Sequence, residues 1–98
     1  MNKTTWTKLG TDTQTGVNNG VIISDEEYDG KCRVTLETCP GCHAITCSIY
    51  GSLAHTFFYG KNARAKYEEI KTTLADFLDT NPNQLAIFNF CDNFVNSF

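Results

Sequence analysis

Cys32-Arg33-Val34-Thr35-Leu36-Glu37-Thr38-Cys39-Pro40-Gly41-Cys42-His43-Ala44-Ile45-Thr46-Cys47-Ser48-Ile49 is the stretch whose reading decides the fold. Before the Pro-Gly pair, Cys32, Val34 and Leu36 alternate with Arg33, Thr35 and Glu37; after it, Ile45, Cys47 and Ile49 alternate with Ala44, Thr46 and Ser48. A period of two puts each set on its own side of a strand. Pro40 and Gly41 are turn residues, so the two runs are expected to fold back as an antiparallel hairpin. With Leu36 opposite Ile45, Val34 meets Cys47 and Cys32 meets Ile49, so both apolar stripes fall on one face without a slip of register. The other face, carrying Arg33, Thr35 and Glu37, is expected to look at water.

Upstream, Val21-Ile22-Ile23-Ser24 is a short β-branched run, and Asp25-Glu26-Glu27-Tyr28-Asp29-Gly30 reads as an acidic loop after it. The spacing Asp25-x-Glu27-x-Asp29-Gly30 is superficially that of an EF-hand loop, but Leu36 stands where the bidentate glutamate belongs and no helix precedes it. A solvated turn is the expectation. Residues 1–20 are rich in Thr, Asn and Gly, with Trp6 and Leu9 the only large apolar side chains before Val17. This arm is expected either to supply an edge strand around Trp6 or to drape over the domain.

Downstream, Gly51-Ser52 suits a hairpin loop, and the run Leu53 to Tyr59 is a further strand, apolar on both faces through Ala54 and Phe58 on one and Leu53, Phe57 and Tyr59 on the other. Ala63, Tyr67, Ile70, Leu74 and Phe77 then recur at helical spacing behind Asn62, a candidate cap, which predicts a helix over 62–79. A second helix over 82–98 is expected, with Asn81 as its cap, Pro82 in its first position and Gln84 placed as in a capping box. The fold class is therefore α+β: an antiparallel β-meander of three to four strands, within 21–59, followed by two helices packed on the sheet. A chain of 98 residues has room for one hydrophobic core, so residues 1–98 are read as a single domain.

Composition removes several function classes. The net charge is −3 and the eight Lys and Arg are scattered, so no basic patch awaits a nucleic-acid backbone. Met1-Asn2-Lys3-Thr4-Thr5 is polar with no apolar run behind it, and no run approaches the roughly 18 apolar residues of a membrane span. The expectation is a cytoplasmic protein without membrane or nucleic-acid partners, whose five cysteines are mostly free thiols rather than a disulfide framework.

Cys39-Pro40-Gly41-Cys42-His43 is the one constellation with recognisable chemistry. Two thiolates two residues apart beside an imidazole supply half of a tetrahedral zinc site, so Cys39, Cys42 and His43 are the candidate metal ligands and zinc the candidate cofactor. Cys32 and Cys47 cannot complete it, because at about 3.3 Å per residue they lie roughly 23 Å and 16 Å along the strands from the turn. The rest would come from elsewhere or from a second subunit. A thiol-redox role lacks the helix N-terminus that lowers a thiol pKa in thioredoxin-like motifs, and the plainest reading leaves the thiols incidental to the turn. Cys42 and His43 are sequence neighbours on opposite strand faces, so adjacency makes no catalytic dyad. An enzyme using His55, Tyr50 and a carboxylate has no positive signal, His55 being placed with Tyr50 and Ser48. No Walker loop, dinucleotide fingerprint or nucleophile elbow occurs.

Ala44-Ile45-Thr46-Cys47-Ser48-Ile49-Tyr50-Gly51, continuing through His55-Thr56 to Ala65-Lys66-Tyr67-Glu68-Glu69-Ile70-Lys71, resembles small bacterial proteins of unknown function, cyanobacterial ones among them. The resemblance spans residues 21–78 and implies an independent α+β unit; it carries no known activity or site, and the Cys-Pro-Gly-Cys turn lies outside its pattern. The C-terminal segment is apolar on more than one stripe, through Leu85, Ile87, Phe88, Phe90, Cys91, Phe94, Val95 and Phe98. One small sheet cannot cover them all. The expected function is therefore a non-enzymatic protein–protein interaction or regulatory, inhibitory role, as a homodimer or with another protein, through Phe57, Tyr59, Phe90, Phe94 and Phe98. The alternative is a zinc-binding or thiol-redox protein using the Cys39-Pro40-Gly41-Cys42 turn.

Overall fold

The computed structural model describes residues 6–51 and 55–98. Five strands, β1 (Trp6–Lys8), β2 (Val21–Tyr28), β3 (Cys32–Cys39), β4 (Cys42–Ile49) and β5 (His55–Tyr59), form one antiparallel sheet in chain order, followed by helices α1 (Ala63–Leu78) and α2 (Gln84–Phe94). This is the α+β meander with two helices, one strand longer than the alternation alone suggested, because the arm contributes β1. The expected Gly51-Ser52 loop and the positions of Leu53 and Ala54 reach outside the described residues.

The hairpin of β3 and β4 has the register read from its alternation: Leu36 opposes Ile45, Val34 opposes Cys47 and Cys32 opposes Ile49. Its loop is Pro40-Gly41, and Gly41 sits at φ 80°, a left-handed position that glycine occupies without strain. Cys32, Val34, Leu36, Ile45, Cys47 and Ile49 are all buried, under a stripe of α1 formed by Ala63, Tyr67, Ile70, Leu74 and Leu78. The expected stripe ended at Phe77; that ring instead stacks on Phe90 of α2 at 3.9 Å.

Polar contacts from Tyr67 and Lys71 lock α1 to the sheet. The Tyr67 hydroxyl donates to Glu26 Oε1 at 2.9 Å and to the Val34 carbonyl at 3.2 Å, and Lys71 Nζ meets the same Glu26 oxygen at 2.8 Å while lying 5.2 Å from the Trp6 ring centre. Burial alone would raise the Glu26 carboxyl, but these donors and the Lys71 charge hold it below its ordinary value. The phenol of Tyr67 is pushed well up, first by burial and then by the carboxylate it serves.

The segment 25–28, expected as a solvated loop, is the second half of β2. A bulge between Ile22 and Ser24 carries the strand across, so Asp25 pairs with Thr35, Glu26 with Val34 and Tyr28 with Cys32. Ser24, Asp25, Glu26 and Glu27 are all polar, so no apolar alternation marks this half of the strand.

Both helix starts differ from expectation. Asn62 stands before α1 in the left-handed region at φ 60° and its side chain makes no cap bond. Asn81, at φ 57°, finishes α1 by donating its N–H to the Leu78 carbonyl, and it is Asn83 that caps α2, its side-chain oxygen accepting from the Ala86 N–H at 2.8 Å. A left-handed residue after the last turn closes a helix, so Asn81 could not also open the next one.

α2 docks on its own sheet. Phe94 is buried, edge-on to Phe57 of β5 at 5.7 Å, and the Tyr59 hydroxyl donates to the Phe98 carbonyl at 3.3 Å. Among the described residues no helix is long and apolar enough to cross a membrane.

Leu74 is fully buried at the centre of this layer, and Leu74→Ala is expected to lower the unfolding free energy by about 2–5 kcal/mol with an unchanged denaturant slope. Urea titration followed by tryptophan fluorescence checks it, and a loss below about 1 kcal/mol would mean that α1 does not form the core.

Candidate functional site

The face of the sheet opposite the helices carries Asp25 from β2, Arg33, Thr35, Glu37 and Cys39 from β3, Cys42, Ala44, Thr46 and Ser48 from β4, and Thr56 and Phe58 from β5. Arg33 faces water as expected, but the carboxylates of this side do not. Asp25 is 2% exposed and Glu37 1%, because the arm between β1 and β2 folds back over them.

The reason is electrostatic: a carboxylate removed from water must be met by donors or become protonated. Asp25 accepts from Arg33 Nε at 2.9 Å and Arg33 Nη2 at 2.5 Å, from Thr35 at 2.9 Å and from Thr11 of the arm at 2.6 Å. Burial works to raise its pKa, but those donors, Arg33 first, outweigh it and hold the carboxyl below its ordinary value; Arg33 is raised in return. Glu37 accepts the backbone N–H of Asn18 at 3.1 Å and of Gly20 at 2.9 Å, and the Asn18 amide bridges Glu37 Oε1 and Thr46. Gly16 and Gly20 approach so closely that a Cβ would sit 2.1 Å from Glu37 Oε1 or 2.5 Å from the Thr38 carbonyl, respectively.

Between arm and sheet lies an open cavity of about 330 Å³. Its walls include Thr11, Gln14 and Val17 from the arm and Ile22, Arg33 and Thr46 from the sheet. The lining mixes hydroxyl and aliphatic groups, and the Arg33 cation in it is already paired with Asp25. Nothing in the alternation of β3 and β4 signals this cavity, since the arm that closes it has no periodic pattern.

Of the candidate metal ligands, Cys39 and Cys42 are directly opposed across the turn on the arm side, whereas His43 pairs with Thr38 and Tyr59 on the helix side. Its Nδ1 is buried and has no hydrogen-bond partner among the described residues. Among the described residues no three His, Cys, Asp or Glu side chains are placed to hold a metal ion. The Cys39 thiol is pushed up, first by burial and then by the charge of Glu37. His55 pairs with Cys47 and packs on Phe57 at 4.6 Å, on the helix side, so it does not share a face with Ser48 as expected.

The candidate interaction residues divide. Phe57 and Phe94 are buried in the chain's own core, and Tyr59, Phe90 and Phe98 are partly buried against it. The aromatic and aliphatic side chains left in solvent on β5 and α2 are Phe58, 61% exposed, and Leu85 and Phe88, 67% and 68% exposed. Sequence periodicity could not separate Phe57 from Phe58 without knowing which face of β5 the helices cover.

Comparison of the chain with protein-family models, with curated proteins and with solved structures finds no match.

A depressed carboxyl pKa adds stability that is present above the unfolded value, 3.8 for Asp25, and is lost as pH falls through the lower folded one. Asp25→Asn is therefore expected to destabilise the neutral protein by about 1–3 kcal/mol, and the gap to wild type to close between about pH 4 and pH 2. Urea titrations across that range check the sign; a gap independent of pH would mean that Asp25 is not ionised in the fold.

Proposed function

We propose that this chain is a small non-enzymatic protein–protein interaction domain that takes a second polypeptide, first of all a second copy of itself, along the open edge of β5. The observation that carries the reading is the chemistry of that edge. In a two-residue hairpin the residues flanking the loop exchange hydrogen bonds, and the parity alternates along the ladder. Cys39 and Cys42 flank the loop, and at the far end of the hairpin Tyr50 N–H donates to the Lys31 carbonyl at 2.7 Å, in phase with them. Ala44 and Thr46 thus direct their backbone groups to β3, and Ile45 and Cys47 direct theirs to Phe57 and His55 of β5. The backbone N–H and C=O of Thr56 and Phe58 are left pointing outward.

β5 closes one side of the sheet, with no strand beyond it among the described residues. Unpaired edge groups template the addition of a strand. Natural edges are usually guarded by a charge or a proline, yet His55–Tyr59 contains neither Lys, Arg, Asp, Glu nor Pro, and its middle carries the exposed ring of Phe58. An antiparallel pair of β5 strands centred on Phe57 would set Thr56 against Phe58 of the other copy, matching outward donors to outward acceptors by symmetry. Leu85 and Phe88, one turn apart on α2, offer a second apolar contact for a regulatory or inhibitory partner.

Phe58→Lys places a charge on the edge without touching the bonds to β4. It is expected to convert a concentration-dependent dimer into monomer, with a dissociation constant raised about tenfold or more, whereas Leu85→Glu leaves the dimer intact. Native mass spectrometry over a dilution series reads both; a wild-type monomer at high concentration, or a dimer that Phe58→Lys does not weaken, would sink the edge-pairing reading.

A further inference from the structure

We propose that Cys39 and Cys42 form a dithiol–disulfide pair, oxidised by a low-molecular-weight disulfide, and that oxidation releases the 16–20 segment of the arm from Glu37. The pair is placed for the bond. Directly opposed residues of an antiparallel ladder have Cα atoms about 4.5–5.5 Å apart, inside the range of about 4.4–6.8 Å that a disulfide spans. Both thiols are partly exposed at the tip of a hairpin, within reach of a small oxidant. Cys32 and Cys47 are not: they are buried on the helix side, where burial pushes both thiols up to about 12.

What distinguishes this pair from incidental turn cysteines is the use made of Cys39. Its thiol donates to Glu37 Oε2 at 3.8 Å, the same oxygen that accepts the Asn18 and Gly20 backbone N–H groups, and approaches the Asn18 carbonyl at 4.0 Å. The sulfur also packs where Gly20 has no side chain, 2.8 Å from the position a Cβ would take. Glu37 is thus the peg on which the arm hangs, and Cys39 is one of its donors. Forming the disulfide removes the S–H and draws the sulfur toward Cys42, leaving a buried carboxylate one donor short. Gly16 and Val17, which border the cavity, belong to the same segment.

The exchange balances. Cys42 attacks one sulfur of the external disulfide; that S–S bond breaks, one thiolate leaves, and a mixed disulfide forms on Cys42. Cys39 loses its proton to solvent, and its sulfur attacks Cys42 Sγ, breaking the mixed bond and expelling the second thiolate. The two expelled thiolates collect the protons of the two cysteines, so two protein thiols are oxidised as one disulfide is reduced to two thiols. Because the Cys39 sulfur is engaged by Glu37 and the Asn18 carbonyl and packs against Gly20, Cys42 is the entering nucleophile and Cys39 the resolving one.

The test treats the full chain with glutathione disulfide and reads intact mass, peptide mapping and amide exchange by NMR. Wild type is expected to lose two hydrogens, mapped to Cys39–Cys42, and the Asn18 and Gly20 amides to exchange about tenfold faster, as for one lost hydrogen bond. Cys39→Ala, which removes the donor without making a disulfide, is expected to show the same acceleration in reducing buffer. Cys39→Ser keeps a hydroxyl donor and is expected to retain protection with or without oxidant. A glutathione adduct on Cys42 that never resolves, or an internal disulfide that leaves the Asn18 and Gly20 exchange rates unchanged, overturns the proposal. Neither outcome bears on dimerisation through β5, which the Phe58→Lys dilution series reads separately.

Discussion

The two-residue loop Pro40-Gly41 is the constraint on which the rest of the molecule depends. By setting Cys39 against Cys42 it assigns every later pair of the hairpin to one side of the sheet. A slip of one residue in β4 would send Ile45 and Cys47 to the arm side and set Ala44 and Thr46 beside Val34 and Leu36 under α1. The apolar stripe that receives Tyr67, Ile70 and Leu74 and the polar stripe that receives the arm are two consequences of that one turn. Gly41 is what allows the turn its left-handed corner.

The two faces are held by different physics. On the helix side, burial of branched and aromatic side chains against α1 supplies a non-directional driving force, sharpened by the Tyr67–Glu26–Lys71 contacts. On the arm side the apolar content is small, and directional bonds decide the structure: Asp25 and Glu37 are buried, and each must gather donors from distant parts of the chain. Thr11 and Arg33 answer Asp25; Asn18, Gly20 and Cys39 answer Glu37. An arm poor in large apolar residues is ordered by what two carboxylates require. Such a layer is more readily loosened than a packed core, since removing one donor leaves a charge under-satisfied.

That contrast organises the exposed surfaces. The packed side brings α2 down on Phe57 and so uses up much of the aromatic surface of the C-terminal segment, which moves the open apolar contacts to Phe58, Leu85 and Phe88. The polar side carries the cavity and the thiol pair, both bordered by an arm that hangs on hydrogen bonds. The open edge of β5 and the arm that covers the other face of the sheet are built from separate residues.

The α+β class, the register of β3 with β4 and the helical face of Ala63, Tyr67, Ile70 and Leu74 were legible because each rests on local periodicity, a property of neighbours in the chain. The acidic strand 25–28 was not legible, because Ser24, Asp25, Glu26 and Glu27 are all polar and its burial depends on Arg33 and Thr11, which lie far from it in sequence. The caps were misplaced because asparagine serves a left-handed corner as readily as an N-cap, and only the chain's path past Leu78 selects between them. The spacing of Cys39 and Cys42 makes them a pair in the sequence, but the side on which His43 falls belongs to the sheet. What the sequence by itself determined is therefore the set of elements and the turn that pairs two of them. Tertiary structure alone decided which polar groups are buried, which aromatic rings stay in solvent and where the arm lies, because each of those depends on groups brought together from distant parts of the chain.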